Sequence, residues 1–224
     1  MARSGTADYT VTASDVMNAA LELLGVLPPG ETANAEDTAT VLKVLEMFIK
    51  MVMVPNNVLM PGLKVWQRAR GSLTLKAQNT FTLKTGGDLV MDPPVQILEA
   101  VLRHTASLAD SPMKYITMPQ YMAISGKSAL ATPTKWTYER EWDTGKLYVD
   151  CIPSAATIAA YTIEFVYLRP LQDITDGALD IDFPKHWYLP LVHQLGIHAA
   201  PFFQRPIPKD LGTLAGMSLT LANS

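Results

Sequence analysis

The chain has little charge and almost no cysteine. Only 17% of its 224 residues are charged, against about 25% in a typical soluble domain, whereas 48% are apolar and eleven are methionine. Such a balance is expected when neighbouring molecules cover much of a protein's surface. The net charge of −3 argues against a free-standing nucleic-acid-binding protein, because such proteins usually concentrate Lys and Arg on one face.

The single cysteine, Cys151, excludes a disulfide bond within the chain. It follows a strand-like run, and we interpret it as a small buried hydrophobic residue. Long apolar runs are missing as well, since none approaches the ~20 residues that span a bilayer. The first ten residues lack the apolar core of a secretory signal. We therefore expect a soluble protein that is synthesised in the cytoplasm and has no membrane partner.

Residues 38–54 form a helix candidate that is apolar on two sides. Such a helix must be covered twice, either at the centre of a large core or by its own domain and a second subunit. We favour the second subunit, so the first stripe is expected to pack within the protomer and the second to form a subunit interface. The first stripe is Val41, Leu45, Phe48 and Val52, and the second is Val44, Met47, Met51 and Val54.

Further helical signals lie on both sides of a β-rich middle. Thr12 or Ser14 caps a helix over 16–24 that Gly25 ends, and Thr32 or Asn34 caps the next one. Near the C-terminus a helix begins around Trp187 and should be kinked by Pro190. A final amphipathic run covers 211–219.

Between the helices the apolar period changes from 3.6 towards 2, which predicts short strands and suggests a sandwich or barrel-like unit. A capping box at Thr117 and Gln120 predicts one short helix among them. The predicted strands cover 63–67, 72–76, 80–84, 95–104, 113–116, 135–140, 146–151 and 160–168.

The predicted fold class is α+β: a helical bundle built from N- and C-terminal helices, with an inserted antiparallel β-sandwich or barrel-like unit. Residues 1–62 form a helical hairpin, and residues 63–170 form the β domain. Residues 171–200 supply an acidic loop and a helix that complete the bundle, and residues 201–224 form a C-terminal segment. The acidic loop is expected to be solvated and to end as a helix cap.

Candidate chemistry is sparse. Glu139 and Glu141 have the spacing of a carboxylate pair, such as a glycosidase uses. Trp136 and Trp142, with nearby tyrosines, suggest a stacking platform for a base or a sugar. The histidines, the acidic loop and the sequence Gly126-Lys127-Ser128 do not fit metal or phosphate motifs. We expect no cofactor, no metal and no enzymatic activity.

Several stretches resemble the head-to-tail adaptor, or packaged-DNA-stabilisation, proteins of tailed bacteriophages. The order of the stretches carries the resemblance: a helix ending in LG, a second helix after a PPGE loop, a β insert, and an acidic-Pro-aromatic helix start. They are TASDVMNAALELLGVLPPGETANAED running into VLKVLEMFI, MKYITMPQYMAISGK, GKLYVDCIPS, and DFPKHWYLPLVHQLGIHAAPFF.

The resemblance implies a structural protein at the head-tail junction of the virion. It implies a ring of twelve subunits that docks beneath the portal protein, seals packaged DNA and presents a platform to tail or nozzle proteins. DNA passes through the lumen without sequence-specific binding. The segment 201–224 would dock on the portal and become ordered there, through Pro201, Phe202, Phe203, Leu211, Leu214 and Leu219.

Two readings from other classes remain open at this point. One is a phage-associated hydrolase of cell-wall glycans that uses Glu139 and Glu141, and the other is a carbohydrate-binding β module that uses Trp136 and Trp142. A ring formed alone or with portal protein distinguishes the adaptor from both.

Overall fold

The computed structural model describes residues 11–52 and 67–222, and these residues divide into two compact units. The helical unit takes its described residues from Met1–Trp66 and Leu171–Ser224, and the β unit is Gln67–Pro170. Helices and mainly antiparallel sheets occur together, so the predicted α+β class is confirmed.

Four of the described helices lie in the helical unit and two short ones lie in the β unit. The helical unit contains α1 (Ala13–Leu23), α2 (Ala35–Val52), α5 (Tyr188–Ala199) and α6 (Leu211–Ala222), with a 3-10 helix (Lys185–Trp187) before α5. The β unit contains α3 (Met118–Met122) and α4 (Ala155–Ala160). No helix among the described residues combines the length and apolarity needed to cross a membrane.

The capping signals of α1 and α2 act as the sequence predicts. The Thr12 hydroxyl accepts a hydrogen bond from the Asp15 N–H, and the Asp15 carboxylate accepts one from the Thr12 N–H. Gly25, at a φ of 63°, ends α1 in the left-handed conformation that favours glycine. The Asn34 side chain accepts a bond from the Asp37 N–H at 2.8 Å. This cap starts α2 at Ala35, earlier than predicted.

The acidic stretch before α5 is tied to the start of α1. The N–H groups of Ala13 and Ser14 donate to the carbonyl oxygens of Leu179 and Gly177 at 2.9 and 2.8 Å. These bonds satisfy backbone donors that the first turn of a helix leaves open. Asp173, Asp176 and Asp180 are exposed, as expected of a solvated loop. The expectation that this loop caps the following helix was wrong, because Pro184 and Trp187 hold the cap positions there and make no side-chain cap bond.

The core of the helical unit lies between α1, α2 and α5. Val41, Leu45, Phe48 and Val52 are all buried, so the predicted packing of the first α2 stripe within the protomer is confirmed. The expected kink at Pro190 was wrong. Because α5 begins at Tyr188, Pro190 lies in the first turn, where its missing N–H removes no helical hydrogen bond.

The β unit contains two four-stranded sheets and one small pair. The first sheet has the order β1-β10-β3-β4, the second β2-β8-β7-β5, and the pair is β6-β9. The strands are β1 (Arg68–Thr74), β2 (Thr80–Leu83), β3 (Gln96–His104), β4 (Asp110–Pro112), β5 (Lys114–Tyr115), β6 (Leu130–Ala131), β7 (Lys135–Arg140), β8 (Gly145–Val149), β9 (Ile152–Pro153) and β10 (Tyr161–Leu168).

One core joins the two four-stranded sheets, so the arrangement is sandwich-like. Leu73, Ile163 and Phe165 from the first sheet belong to the same buried cluster as Phe81 and Trp136 from the second. Neither sheet closes into a barrel. The pairs β5–β7 and β6–β9 are parallel, which the expectation of an antiparallel unit did not include.

The strand predictions differ from the structure at β1 and at the short strands β4, β6 and β9. Strand β1 begins at Arg68, four residues before the strand predicted over 72–76, and ends at Thr74. The strand predicted over 63–67 lies outside the described residues except for Gln67. Strand β7 has the predicted bounds. The short helix with the capping box at Thr117 and Gln120 is confirmed as α3.

Candidate functional site

An apolar groove lies beside α2 on the surface of the helical unit. Its volume is about 200 Å³. Its floor contains the buried ring of Phe48, while Met47 and Phe202 are 56% and 57% exposed. The residues that line it are Val44, Met47, Phe48, Met51, His198 and Phe202. The groove is therefore built from α2, α5 and the turn that follows α5.

His198 is the polar member of this lining. Its ring lies 5.5 Å from the ring of Phe48, centroid to centroid, at an interplanar angle of 39°. Burial lowers the pKa of His198 below its usual value, because an imidazolium loses hydration there. The imidazole is consequently neutral at neutral pH, and none of the residues that line the groove carries a charge.

A turn after α5 presents aromatic residues and then reverses the chain. The Arg205 N–H donates to the Ala200 carbonyl at 3.1 Å, and Gln204 adopts a φ of 53°. Phe202 points outward in this turn, whereas Phe203 is half-buried against the core of the helical unit. Two adjacent aromatic residues thus face different environments.

Helix α6 packs on α5 with one side and exposes apolar residues on the other. The Ser218 hydroxyl and His193 Nδ1 are 3.2 Å apart, which links the two helices through a buried polar contact. At Gly196 an added Cβ would lie 3.5 Å from a methyl group of Leu211, so α6 runs close to the α5 backbone. The inner residues are Leu211, Ala215, Ser218 and Leu219, and the outer large ones are Leu214, Met217 and Leu221.

The sequence of residues 11–219 matches the family model described as SU10 adaptor protein. The chain belongs to the SU10 adaptor protein family. The match spans both units, and the resemblance to head-to-tail adaptors is confirmed. The family is one of structural adaptors rather than enzymes, and it makes this chain a structural head-tail connector protein of a bacteriophage.

A comparison of structures finds a chain described as "Neck of empty GTA particle computed with C6 symmetry". The two chains are 12% identical, and the alignment covers 85% of this adaptor and 82% of that chain. The TM-score is 0.28, a likeness too low to support an inference about function. None of the curated proteins compared with the adaptor matches its sequence.

The adaptor places the predicted interface residues of α2 in different environments. Met47 is exposed and Met51 is half-buried, but Val44 is 3% exposed and belongs to the protomer's own core. The exposed second stripe is thus narrower than expected, because the buried face of α2 extends to Val44. Val54 lies outside the described residues.

The C-terminal residues of the adaptor divide in a similar way. Pro201, Phe202 and Leu214 are exposed, whereas Leu211 and Leu219 are buried. The expectation that a partner must order this segment was wrong, since α6 packs on α5 within the protomer. The outer residues Met217 and Leu221 were missed. Their spacing from Leu214, at i+3 and i+7, is a helical signal that the sequence does contain.

The two acidic residues of the hydrolase reading bind different neighbours. Glu141 lies in the turn after β7, and its Oε1 is 2.5 Å from Lys146 Nζ. Glu139 lies in β7 and makes a long contact of 3.5 Å with the Tyr148 hydroxyl. Both side chains are exposed, and one is neutralised by an ion pair, so the geometry does not favour an acid and base acting on a shared substrate.

The aromatic platform of the carbohydrate-binding reading was wrong. Trp136 is 2% exposed, and its indole N–H donates to the Met113 carbonyl at 3.3 Å. Trp142 is 98% exposed in the turn between β7 and β8. A side chain enclosed in the core and one fully in solvent cannot stack on the same ligand.

The remaining sequence candidates have structural roles. Lys127 donates to the Met122 carbonyl and lies 4.9 Å from the ring centroid of Tyr121, so it does not face a phosphate cradle. Asp173 pairs with Lys50. Within the described residues, no three His, Cys, Asp or Glu side chains are grouped to hold a metal ion. Cys151 is buried, and burial raises the pKa of its thiol.

Proposed function

We propose that this adaptor forms a ring of twelve subunits at the head-tail junction, beneath the portal protein. There it seals packaged DNA and provides the platform for tail or nozzle proteins. The observation that supports this most is the uncharged apolar groove on the helical unit, in a protein of a structural adaptor family. Exposed contiguous apolar surface of this kind marks interaction sites on soluble proteins.

The groove is the proposed contact with the neighbouring subunit. Met47 and Met51 supply flexible, polarisable side chains that can adapt to a partner surface. Val44 supports them from below, and Val54, the fourth residue of the predicted stripe, lies outside the described residues. A contact between different patches on identical subunits is heterologous, which is the geometry that closes a ring.

The outer side of α6 and the turn before it form the proposed portal-docking surface. Pro201, Phe202 and Leu214 are exposed there, and α6 contains no charged residue. Phe203, Leu211 and Leu219 act indirectly, by fixing the turn and α6 against the protomer core. The portal would cover apolar residues that are exposed in the protomer, which favours docking through the hydrophobic effect.

The charge of the chain suits a channel through which DNA must move. Non-specific DNA affinity comes mainly from Lys and Arg contacts with phosphates. A net charge of −3 on each chain supplies no excess of cations for such contacts. The DNA is accordingly proposed to pass through the lumen without specific binding.

The subunit contact is tested with the double substitution Met47→Glu and Met51→Glu. We expect a folded monomer that forms no ring, because two carboxylates would have to be desolvated at the contact. Native mass spectrometry, alone and after mixing with portal protein, measures the assembly. Met122→Glu, at an exposed methionine of the β unit, is the matched control and should still assemble.

Rings that persist in the double variant would contradict this contact. Loss of helical circular dichroism would contradict it too, because it would place both methionines in the protomer core.

The substitution Leu214→Glu tests the portal-docking surface separately from the subunit contact. We expect this variant to form rings that no longer co-sediment with portal protein. Normal co-sedimentation would show that the outer side of α6 does not bind the portal.

A further inference from the structure

We propose that the tip of the β7–β8 hairpin is a docking finger, in which Trp142 enters an apolar pocket with a basic rim on another protein. The finger comprises residues 139–143. It belongs to the β unit, and the proposal does not depend on the ring or on the surfaces of the helical unit. The partner class follows from the exposure, the rigidity and the charge of this tip.

The exposure of Trp142 is unusual within this molecule. It is 98% exposed, more than any other large apolar side chain among the described residues. Trp136 and Trp187, by contrast, are almost completely buried. An indole in water adds nothing to the packing of the protomer, whereas tryptophan is strongly enriched among the residues that dominate the energetics of protein interfaces.

The base of the finger is held by specific contacts. The Glu141 N–H donates to the Thr144 carbonyl at 2.8 Å, and the side chain of Glu141 pairs with Lys146. The Thr144 hydroxyl donates to the Asp143 carboxylate at 3.0 Å, and Thr144 itself is buried. The turn that carries Trp142 is therefore closed on both sides by hydrogen bonds.

Tyr138 fixes the hairpin from below. Its ring covers Gly145, where an added Cβ would lie 2.5 Å from the tyrosine hydroxyl oxygen. That hydroxyl donates to the Pro94 carbonyl at 2.7 Å, and burial raises its pKa, so it remains protonated. A pre-organised tip loses little conformational entropy when it binds, which favours its use as an anchor.

The charges around Trp142 indicate the chemistry of the partner. The exposed side chains of the finger are three carboxylates, Glu139, Glu141 and Asp143, against one guanidinium, Arg140. Lys146 neutralises Glu141, so Glu139 and Asp143 are the carboxylates that remain against Arg140. Asp143 directly follows Trp142 and has no ion-pair partner among the described residues, so the negative charge beside the indole matches an apolar pocket with Lys or Arg at its rim. The same charge disfavours DNA phosphates and anionic lipid headgroups.

The decisive experiment uses assembled phage particles with a photoreactive benzophenone amino acid in place of Trp142. The same amino acid in place of Leu130, which is 72% exposed in the same unit, is the matched control. After irradiation, mass spectrometry identifies the cross-linked residues. We expect cross-links specific to position 142 that map to an apolar pocket with Lys or Arg at its rim, on a protein other than the adaptor.

Binding of the cross-linked protein to purified adaptor gives the second measurement. We expect Trp142→Ala to weaken it by about 10- to 100-fold and Asp143→Lys to weaken it less, with Leu130→Ala unchanged and thermal stability equal in all variants. Cross-links no stronger than at position 130 would overturn the proposal. So would cross-links to DNA, lipid, glycan or a second copy of the adaptor, or equal binding by Trp142→Ala.

Discussion

The helical unit and the β unit of the adaptor both have apolar cores, but they differ in the contacts around those cores. In the helical unit, helices from distant parts of the chain pack through aliphatic and aromatic side chains, and Met47 on α2 and Leu214 and Met217 on α6 stay exposed. In the β unit, ion pairs such as Lys76–Asp88 and Arg103–Asp110 join neighbouring segments around a sandwich core. The first unit thus keeps apolar surface available for assembly, and in the second the Arg103–Asp110 ion pair links residues that face each other in β3 and β4.

The largest expected effect comes from removing one tryptophan core residue in each unit. Trp187→Ala and Trp136→Ala should each lower the free energy of unfolding by ~3–5 kcal/mol, because each leaves a large cavity in a closely packed interior. Hydrogen exchange measured by mass spectrometry should show faster exchange mainly in the unit that carries the change. Equal acceleration in both units after either substitution would mean that the units unfold together.

Glycine substitutions should have opposite signs in the two units. At Gly71 in β1, an added Cβ would lie 2.5 Å from the buried ring of Phe165, so Gly71→Ala should destabilise the β unit by ~1–3 kcal/mol. At Gly216 in α6, no atom beyond the adjacent residues and the backbone of the helix itself lies within 4 Å of the added Cβ. Gly216→Ala should stabilise the helical unit by ~0.5–1 kcal/mol, through its higher helix propensity. Urea unfolding curves measure both changes, and equal signs would contradict the comparison.

An effect similar in size to that of Gly216→Ala is expected for the acid sensitivity of the two units. Burial alone would raise the pKa of Asp88, but hydrogen bonds from Lys76 and Thr82 outweigh it and lower the pKa to about 2. Because this folded-state pKa lies below the unfolded value of 3.8, the β unit should lose about 1 kcal/mol as the pH falls from about 4 to about 2. Asp88→Asn should remove this loss.

The helical unit should respond at a higher pH, through His198. Burial lowers its pKa, so the unfolded chain binds the proton first and stability falls once the pH drops below about 6.5. Hydrogen exchange in each unit, followed from pH 7 to pH 3, measures both responses. His198→Gln should abolish the loss of stability near pH 6.5 and leave the loss near pH 3 unchanged. Faster exchange near pH 6.5 in the β unit alone would contradict the role of His198.

The sequence was most informative where a pattern extended over several turns or strands. The 3.6-residue spacing predicted both α1 and α2, although each begins three residues before its predicted range, and Thr12 and Asn34 were each one of two cap candidates. The order of helices, strands and helices gave the α+β class. The alternation of apolar residues did not predict β4, β6 and β9. These strands are two or three residues long, and a period cannot be read from so few positions.

Helix α4 and the position of Trp142 show two further limits. The stretch Ala155–Ala160 has few large apolar residues, so it has no stripe that distinguishes a helix from the start of the next strand. Trp136 and Trp142 have the same residue type and opposite burial, because β7 ends at Arg140 and leaves Trp142 in the turn. The end of a strand depends on its pairing partners, which alternation along one segment does not reveal.

The candidate surfaces were predictable in type but not in extent. The apolar second side of α2 was visible in the sequence, and exposed Met47 lies there. Val44 was assigned to the same surface, since a helical wheel does not show how wide an arc the neighbouring helices cover. His198 and Phe202 join the groove because α5 and its turn lie beside α2, a proximity set by tertiary packing.

The bonds between α1 and the Gly177–Leu179 backbone have a consequence for biosynthesis. The residues that satisfy the first turn of α1 are translated more than 160 residues after it, whereas the β unit is one continuous stretch. Domains generally fold as units during translation. The β unit is therefore expected to fold before α5 and α6, which complete the core around α1 and α2, have been synthesised. A chain cut short on the ribosome would lack those helices, and could not present a finished groove to complete copies.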